Sequence, residues 1–406
     1  MITIVFVAPY FLEATLRFVD AVARLDGVRL GVVSTDPEQR LPPDLRGRIA
    51  AHWRIDDCLA PDQVVAAVVG LADRIGRPAR LIGTLEELQV PLALARERLG
   101  IAGLSAEAAA NFRDKARMKT VLAAHGLPCA RHRLAAHADA ARGFAAVVGY
   151  PLVIKPPAGA GARNTFRVED ARQLEATLAA APPSNERPVL LEEFMTGEEH
   201  SFDAVMVDGV PRWWSVSRYS PGPLTVIENA WIQWAVLLPR SIDGPEYRAI
   251  HDAGFAALKA LGMTTGLAHM EWFRRPDGSV AISEVGARPP GAQFTSLLSY
   301  AHDTDFYRLW ARLAALEQFE APERRYAVGC AYLRAQGDGR VRAVHGVPEV
   351  AREVEGLVVE ARLPRAGQAT TGTYEGEGFV ILRHPDTAVV EQALARVITG
   401  LKVEIA

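Results

Sequence analysis

Residues 269–291 read His269-Met-Glu-Trp-Phe-Arg-Arg-Pro-Asp-Gly-Ser-Val-Ala-Ile-Ser-Glu-Val-Gly-Ala-Arg-Pro-Pro-Gly291, and this stretch decides the fold. Two short apolar runs flank the pair Asp277-Gly278, and Asp-Gly between such runs is a strong signal for a β-hairpin. A two-residue turn at this pair places Pro276 opposite Ser279. A four-residue loop over Pro-Asp-Gly-Ser gives the same register.

The same register, continued along both strands, places Glu271 opposite Glu284. Directly opposed residues in a sheet have Cβ atoms about 4.5–5.5 Å apart, and like charges at that distance destabilise the pair. A divalent cation with oxygen ligands would offset the repulsion, so the hairpin indicates a metal site. The alternative is an exposed sheet face on which both glutamates point into water. The hairpin alone does not choose between the two.

The composition is that of an ordinary globular protein. The chain has 406 residues and a net charge of −3, which predicts roughly two to three domains and no nucleic acid or membrane as partner. The three cysteines, Cys58, Cys129 and Cys330, are too far apart for a disulfide framework or a zinc site. Because the N-terminus lacks a basic leader and no apolar run approaches the ~18 residues of a membrane span, we expect a cytoplasmic protein.

The first 105 residues alternate between strand and helix patterns. The β-branched run Ile2–Val7 is typical of a buried parallel strand, and the alternation predicts an open parallel α/β domain. Ligands of such sheets bind beyond the strand C-termini, which makes Thr84 and Glu86 candidate site residues. The alternative, which we favour, is that Glu86 and Glu87 only place negative charge in the first turn of a helix.

Two lysines follow on a helical pattern over Asn111–Gly126, which is amphipathic and ends at its glycine. Lys115 and Lys119 lie one turn apart on one face of this helix. A lysine pair on a helix is most often solvated surface, and the spacing alone predicts no more.

A glycine-rich segment over residues 156–164 separates two strand patterns, Gly149–Lys155 and Thr165–Val168. It is not a P-loop, because it joins two strands and lacks the Gly-Lys-Ser/Thr sequence. Glycines let backbone N–H groups approach phosphates closely, so we interpret the segment as a flap over a nucleotide. A plain mobile hairpin is the alternative.

Two more strand patterns, Val189–Glu193 and His200–Val207, are joined by a short linker. The backbone at the start of this linker is a candidate to hydrogen-bond the edge of an adenine. Phe194 and Met195 would supply apolar contacts, and Glu199 would bind ribose hydroxyls. The same pattern also describes an ordinary antiparallel pair.

Four tryptophans, at positions 213, 214, 231 and 234, cluster after these strands. Such residues form sheet core more often than a ligand pocket, and we favour the core. An apolar or aromatic substrate pocket is the alternative.

The order of these parts resembles the ATP-grasp superfamily. The shared features are a helix lysine, a strand-end lysine before a glycine loop, a Glu-Glu-Phe-Met linker and a Glu…Glu-x-x-x-Arg hairpin, with motifs over residues 105–315. The resemblance implies an α/β fold that is α+β in its catalytic part. It implies an N-terminal open parallel α/β domain (1–105), a two-lobed ATP-grasp domain (106–315, with a mobile lobe over about 126–192) and a small C-terminal α+β subdomain (316–406).

The resemblance also implies roles for individual residues. Phosphate contacts fall to Lys115, Lys155 and the flap residues Gly159, Gly161, Arg163 and Asn164. Adenine contacts fall to Glu192, Glu193, Phe194 and Met195, and ribose contacts to Glu199. Glu271 and Glu284 would hold Mg²⁺, with Mn²⁺ as the alternative ion. Arg288 would hold the transferred group, and His269 would bind substrate, move a proton or be structural.

One residue departs from the family pattern. Members of the superfamily usually show Glu-x-Asn-x-Arg, whereas this chain has Gly286 at the asparagine position between Glu284 and Arg288. Glycine offers no side-chain ligand, so water or a nucleotide phosphate would have to fill the position. The departure concerns one of two metal sites and leaves the carboxylate pair in place.

The implied chemistry is phosphoryl transfer from ATP to a carboxylate, followed by attack of an amine on the acyl phosphate. The runs His-x-Glu and Glu-x-x-x-Arg-Pro-Pro-Gly are most similar to carboxylate–amine ligases, including L-amino acid ligases, so we expect an amide-forming ligase with an amino acid substrate. One alternative is a biotin-carboxylase-like or purine-pathway enzyme that phosphorylates bicarbonate or formate. Another is an ATP-binding module without turnover, with Gly286 as a mark of decay. A homodimer is left open.

Overall fold

The structure is a computed structural model that describes residues 1–159, 164–229 and 232–406. The strands are β1 (Ile2–Val7), β2 (Val28–Ser34), β3 (Ala51–Arg54), β4 (Arg80–Ile82), β5 (His132–Ala135), β6 (Leu152–Lys155), β7 (Phe166–Val168), β8 (Val189–Glu193), β9 (Glu198–Val207), β10 (Val210–Ser220), β11 (Ala235–Leu238), β12 (Gly266–Arg274), β13 (Val280–Gly286), β14 (Ala327–Leu333), β15 (Val341–His345), β16 (Val358–Arg362), β17 (Gly378–His384) and β18 (Lys402–Ile405). The α-helices are α1 (Glu13–Ala23), α2 (Pro43–Arg46), α3 (Pro61–Ile75), α4 (Gln89–Leu99), α5 (Ala106–Arg113), α6 (Lys115–Ala124), α7 (Ala138–Val148), α8 (Ala171–Ala180), α9 (Pro223–Glu228), α10 (Arg248–Ala260), α11 (Phe294–His302), α12 (Phe306–Leu316), α13 (Val347–Glu353) and α14 (Thr387–Gly400). Short 3₁₀ turns cover Glu38–Arg40, Glu86–Leu88 and Pro245–Tyr247.

The N-terminal part is a parallel sheet in the order β3-β2-β1-β4. Its central strand β1 is buried from Thr3 to Val7, which explains the uninterrupted β-branched sequence. Helix α1 packs on α12, and α3 packs on α4 and on the sheet. The predicted open parallel α/β architecture is confirmed.

A long antiparallel sheet forms the centre of the molecule, in the order β13-β12-β9-β10-β11-β14-β17-β16. Successive side chains of a strand point to opposite faces. On β9, Phe202, Ala204 and Met206 pack in a core with residues of α6 and α10. The alternate positions, Ser201 and Asp203, are polar and still buried. One face of this sheet is therefore apolar core, and the other carries buried polar groups.

Two smaller sheets complete the fold. An antiparallel sheet in the order β5-β8-β6-β7 packs against α7 and α8. Its strand β6 ends at Lys155. The other pairs β15 with β18. Strands β14, β16 and β17 extend the long sheet, so this part of the C-terminal region shares its backbone hydrogen bonds. The domain boundaries predicted near residues 105 and 315 stay predictions.

Within the described residues, no helix has the length and apolar composition needed to cross a lipid bilayer.

The hairpin β12–β13 confirms the predicted pairing of Glu271 with Glu284, but the register near the turn differs from the prediction. Next to the turn, Arg274 pairs with Val280, one residue away from the predicted register. A β-bulge between Glu271 and Trp272 leaves Ser283 as an extra residue on β13 and restores the register. The Arg275 N–H donates to the Ser279 carbonyl, so the loop has three residues rather than the two or four predicted, and the bulge compensates for the difference.

The predicted helix over Asn111–Gly126 is two helices, α5 and α6. Asp114 has extended backbone angles and its side chain accepts a hydrogen bond from the Arg117 N–H, which begins a new helix at Lys115. An aspartate with a good N-cap geometry therefore overrides the continuous helical periodicity. The break places Lys115 in the first turn of α6.

Candidate active site

A single large cavity, about 720 Å³ in volume, contains the predicted site residues that the structure describes. These are Lys115, Lys155, Gly159, Asn164, Glu192, Glu193, Phe194, Met195, Glu199, His269, Glu271, Glu284 and Arg288. The predicted flap residues Gly161 and Arg163 lie outside the described residues, as does Trp231. The volume is within the range of roughly 300–1,000 Å³ that is typical of small-molecule sites.

Carboxylates crowd the polar face of the long sheet. Glu271 pairs with Ser201 on β9 and with Glu284 on β13, so its carboxylate faces the cavity beside a like charge. Burial, and then the Glu284 charge, raise the pKa of Glu271. Burial and the Glu271 charge likewise raise the pKa of Glu199 well above its ordinary value. For both carboxylates, the nearby cations do not offset burial and the neighbouring negative charge.

Glu284 differs because it has a cationic partner. Lys115 Nζ lies 2.8 Å from Glu284 Oε1 and also donates to the Gly159 carbonyl at 2.9 Å. Burial alone would raise the pKa of Glu284, but Lys115 and Lys155 outweigh it and the pKa is lowered. Lys115 is buried, so the solvated-surface interpretation of this lysine is wrong.

A second buried ion cluster surrounds Glu192. Its Oε1 lies 3.0 Å from Lys155 Nζ and 3.5 Å from Lys119 Nζ. Lys119 has no exposed surface and also donates to the carbonyl of Ser283, the bulge residue, at 2.7 Å. Burial lowers the pKa of Lys119, whereas Glu192 and Glu284 overcome the effect of burial and raise the pKa of Lys155. The sequence pattern favoured solvated surface for Lys119, whereas the structure buries it against the cavity residue Glu192.

The segment after β8 has fewer free backbone donors than predicted. The Glu193 N–H donates to the Arg131 carbonyl at 3.0 Å, and the Phe194 N–H donates to the Pro151 carbonyl at 3.2 Å. The Arg167 guanidinium lies 4.2 Å above the Phe194 ring. Met195 packs in a small apolar cluster next to the cavity. An adenine would therefore meet the apolar wall and the carbonyl groups of this segment rather than these two N–H groups.

His269 is held by a buried aspartate that the sequence interpretation missed. His269 Nδ1 lies 2.7 Å from Asp203 Oδ1, and the Ser201 hydroxyl donates to Asp203 Oδ2 at 3.2 Å. Asp203 is 1% exposed. Tyr219 Oη lies 3.5 Å from His269 Nε2, on the cavity side. An alternation of polar residues along β9 was the available signal for Asp203.

Arg288 is paired with a residue from the N-terminal sheet. Its Nε lies 2.6 Å from Glu86 Oε2, and Glu86 is buried in the 3₁₀ turn that follows β4. A Cβ at Gly286 would lie 3.1 Å from the same Glu86 oxygen. Glycine at 286 therefore leaves room for this pair. Glu86 does begin a helical turn, as we favoured, but its carboxylate also belongs to the site, together with the nearby Thr84.

The described tryptophans pack in the core, as favoured. Trp213 and Trp234 are 7% and 2% exposed, and Trp214 stacks against Phe202. Trp234 also borders the cavity, where its ring meets that of Tyr374. Core and pocket are therefore not exclusive for this one residue.

Comparison with known proteins gives one family match and several relatives. The sequence model "Carbamoyl-phosphate synthase L chain, ATP binding domain" matches residues 114–212. The chain is 26% identical to "Uncharacterized protein y4rH" of Sinorhizobium fredii, over 88% of this chain and 75% of that one. It is 25% identical to an L-arginine-specific L-amino acid ligase of Bacillus subtilis, over 61% of this chain and 60% of the ligase.

The fold has a close counterpart among solved structures. An L-amino acid ligase from Bacillus licheniformis superposes with a TM-score of 0.80 at 19% identity, over 100% of this chain and 99% of that one. Identity this low shows the fold alone. The partial family match, the relatives and the fold agree with the resemblance to the ATP-grasp superfamily that the sequence motifs indicate.

Proposed function

We propose that the protein is an ATP-dependent carboxylate–amine ligase that forms an amide bond through an acyl phosphate, with an amino acid among its substrates. The observation that carries the proposal is the juxtaposition of Glu271 and Glu284 with Lys115 and Lys155 in one cavity. Two carboxylates suit a divalent cation, and two lysines suit the phosphates of a nucleotide. The ligase relative supports the choice of an amino acid.

The residues present fit Mg²⁺ bound together with a nucleotide. Among the described residues, no group of three or more His, Cys, Asp or Glu side chains is placed to hold a metal by itself. Mg²⁺ is commonly held by one or two carboxylates with phosphate oxygens and waters, so Glu271 and Glu284 would suffice. The raised pKa of Glu271 marks a carboxylate that a cation would favour in its ionised form. When bound, Mg²⁺ would neutralise charge that develops on the transferred phosphoryl group.

The chain's own cations would orient the phosphates. Lys155 is fixed by Glu192, and Lys115 is fixed by Glu284 and by the Gly159 carbonyl at the start of the flap. Preorganised charges in a water-excluded site stabilise a transition state without the cost of reorientation. Arg288, held by Glu86, would bind the carboxylate or the acyl phosphate.

Two steps then give the amide. An oxygen of the substrate carboxylate attacks the γ-phosphorus of ATP, the bond from that phosphorus to the β–γ bridging oxygen breaks, and ADP leaves. The nitrogen of an unprotonated amine attacks the acyl carbon, the bond from that carbon to the phosphate oxygen breaks, and inorganic phosphate leaves. The proton that the nitrogen sheds passes to His269 Nε2.

Asp203 gives His269 the orientation that this role requires. The buried carboxylate accepts a hydrogen bond from Nδ1–H, so the lone pair is on Nε2, which can accept a proton on the cavity side beside Tyr219 Oη. The same carboxylate would stabilise the imidazolium that forms. Asp203 is thus a positioning residue, and His269 is the group that meets the substrate.

The proposal is tested by screening acids against amines in the presence of ATP and Mg²⁺. Phosphate release that needs both an acid and an amine, with a product mass equal to their sum minus water, would support the ligase. Phosphate release driven by bicarbonate or formate would favour the alternative enzyme class. ATP binding without product for every pair would favour a binding module.

A further inference from the structure

A loop that no motif predicted closes one end of the cavity. Residues 371–376 connect the edge of the long sheet to β17, and Thr373, Tyr374 and Glu375 line the cavity. Burial raises the pKa of the Tyr374 phenol, and Glu271 and Arg288 lie close enough for their charges to act on it. The loop therefore borders the part of the cavity that contains Arg288, the residue expected to hold the transferred group.

Two buried charged residues hold this loop in place. The Arg334 guanidinium donates to the Thr373 carbonyl at 3.0 Å and to the carbonyls of Val226 and Ile232 at 2.8 and 2.7 Å. Glu377 accepts from the Thr371 N–H at 2.8 Å. The loop is thus fastened on both sides, and the side chains that it presents to the cavity are preorganised.

Glu375 lies near two aromatic residues, because its charge acts on the phenols of Tyr332 and Tyr374. The Tyr374 ring meets Trp234 edge to face at 4.7 Å, and Trp234 stacks on Tyr332 at 4.6 Å. Among the described residues, none donates a hydrogen bond to the Glu375 carboxylate. Burial raises the pKa of Glu375 more than the nearby Arg362 lowers it. A carboxylate in such a place is costly unless a cation joins it.

We propose that Glu375 binds the ammonium group of the acid substrate, so that the acid substrate is an α-amino acid with an apolar or aromatic side chain. This inference rests on the proposed ligase function. Within the one cavity, Arg288 offers a cation for the substrate carboxylate, Glu375 offers an anion for its ammonium, and Trp234 and Tyr374 offer an apolar wall for its side chain. A zwitterion with an apolar side chain complements all three.

The same arrangement separates the two substrates. The amine substrate must present a neutral nitrogen to the acyl carbon, so a carboxylate that keeps an ammonium charged would hinder it. The acid substrate has a spectator ammonium that a carboxylate can hold throughout the reaction. Glu375 therefore recognises the acid partner and not the nucleophile.

The test compares amino acids with the same acids lacking the amino group. Leucine and 4-methylpentanoate form one pair of probes, and phenylalanine and 3-phenylpropanoate form another. Hydroxylamine serves as the amine, because it traps acyl phosphates as hydroxamates and bypasses the site of the natural amine. Glu375→Gln should lower kcat/KM for the amino acids by about 10- to 100-fold, the range for loss of a charged hydrogen bond. It should leave kcat/KM for the des-amino acids within about twofold.

Controls separate this inference from the ligase proposal. Glu355→Gln, at an exposed position outside the cavity, should behave as wild type. Thermal stabilisation by ADP with Mg²⁺ shows whether Glu375→Gln is folded, and Glu375→Asp should recover part of the preference for amino acids. An equal loss for both members of each pair, or no loss, would overturn the role of Glu375. If no acid yields hydroxamate or ADP even in the wild type, the ligase proposal itself fails.

Discussion

Neutralising the two opposed glutamates should change stability in opposite directions. Glu271 and Glu284 pair across the hairpin, but among the residues that the structure describes only Glu284 has a lysine within hydrogen-bond distance. We expect Glu284→Gln to destabilise the protein in the absence of ligands and Glu271→Gln to stabilise it. Both substitutions should abolish turnover, because each removes a carboxylate that the bound cation would need.

The cost of Glu284→Gln follows from the ion pair that it breaks. Removing one partner of a buried pair costs about 3–5 kcal/mol when the other charge is left alone. Lys115 keeps its hydrogen bond to the Gly159 carbonyl, so we expect the lower part of this range or slightly less, about 2–3 kcal/mol. The lowered pKa of Glu284 has the matching sign: its contribution is present at neutral pH and is lost as the pH falls.

The gain from Glu271→Gln follows from the repulsion that it removes. Two charges about 5 Å apart repel by about 3 kcal/mol at an effective dielectric constant of about 20. The nearby lysines offset part of this repulsion, which leaves a net gain of about 1 kcal/mol. Because the pKa of Glu271 is raised, the carboxylate destabilises the fold most at pH values above that pKa, so the gain should shrink as the pH is lowered.

Urea unfolding of the three proteins at pH 7 and pH 5, without nucleotide or metal, measures both effects. An m-value equal to that of the wild type would show that each variant unfolds from the same compact state. If Glu271→Gln were destabilised as much as Glu284→Gln, the two carboxylates would not repel each other in the folded protein as their pairing indicates. Our reason for placing a cation between them would then be lost.

Other perturbations have equally definite outcomes. Lys119→Met should raise KM for ATP by about 10-fold, with little change in KM for the acid, because Lys119 and Lys155 share Glu192 and loss of one misplaces the other. An unchanged KM for ATP would refute this prediction. Asp203→Asn should lower kcat by about 10-fold or more and move the acid limb of the pH–rate profile to lower pH, whereas a fall in kcat with an unmoved profile would indicate a structural role only. Glu86→Gln should raise KM for the acid substrate by about 10-fold through loss of its pair with Arg288, and Glu355→Gln, outside the cavity, again serves as the control. EDTA should abolish ADP formation and added Mg²⁺ should restore it, and full activity in EDTA would contradict the cation site.

The sequence predicted those features that depend on local pattern. The pairing of Glu271 with Glu284 and the strand-end position of Lys155 followed from turn residues and alternation. Even there, the bulge at Ser283 was not predictable, because it depends on how the strand meets Lys119 rather than on the strand's own residues.

Contacts between distant segments could not be predicted from local sequence patterns. Lys115 and Lys119 looked like solvated helix residues because helical spacing says nothing of what packs on that face. In the structure, α6 lies beside β13, and both lysines are buried. Only the family resemblance, which depends on the order of several motifs, indicated the role of Lys115.

The same limit applies to Glu86 and Glu375. Glu86 is 202 positions from Arg288, and no local pattern connects them. Glu375 lies in a segment without strand or helix periodicity, and it borders the cavity only because the fold brings this segment to the same place as distant residues such as Trp234 and Arg288. Asp203 was predictable in part, because a polar residue at every second position of a buried strand indicates a polar face.

Coupled formation of ADP and of a ligated product tests the central claim most directly. The purified protein is incubated with ATP, Mg²⁺, one amino acid as the acid and one amine, and ADP and the products are measured together by mass spectrometry. We predict one ADP for each product whose mass is the sum of acid and amine minus water, and no product from Glu284→Gln that still folds and binds ATP. ADP formation without a product for every pair of substrates, or full activity of Glu284→Gln, would contradict the account.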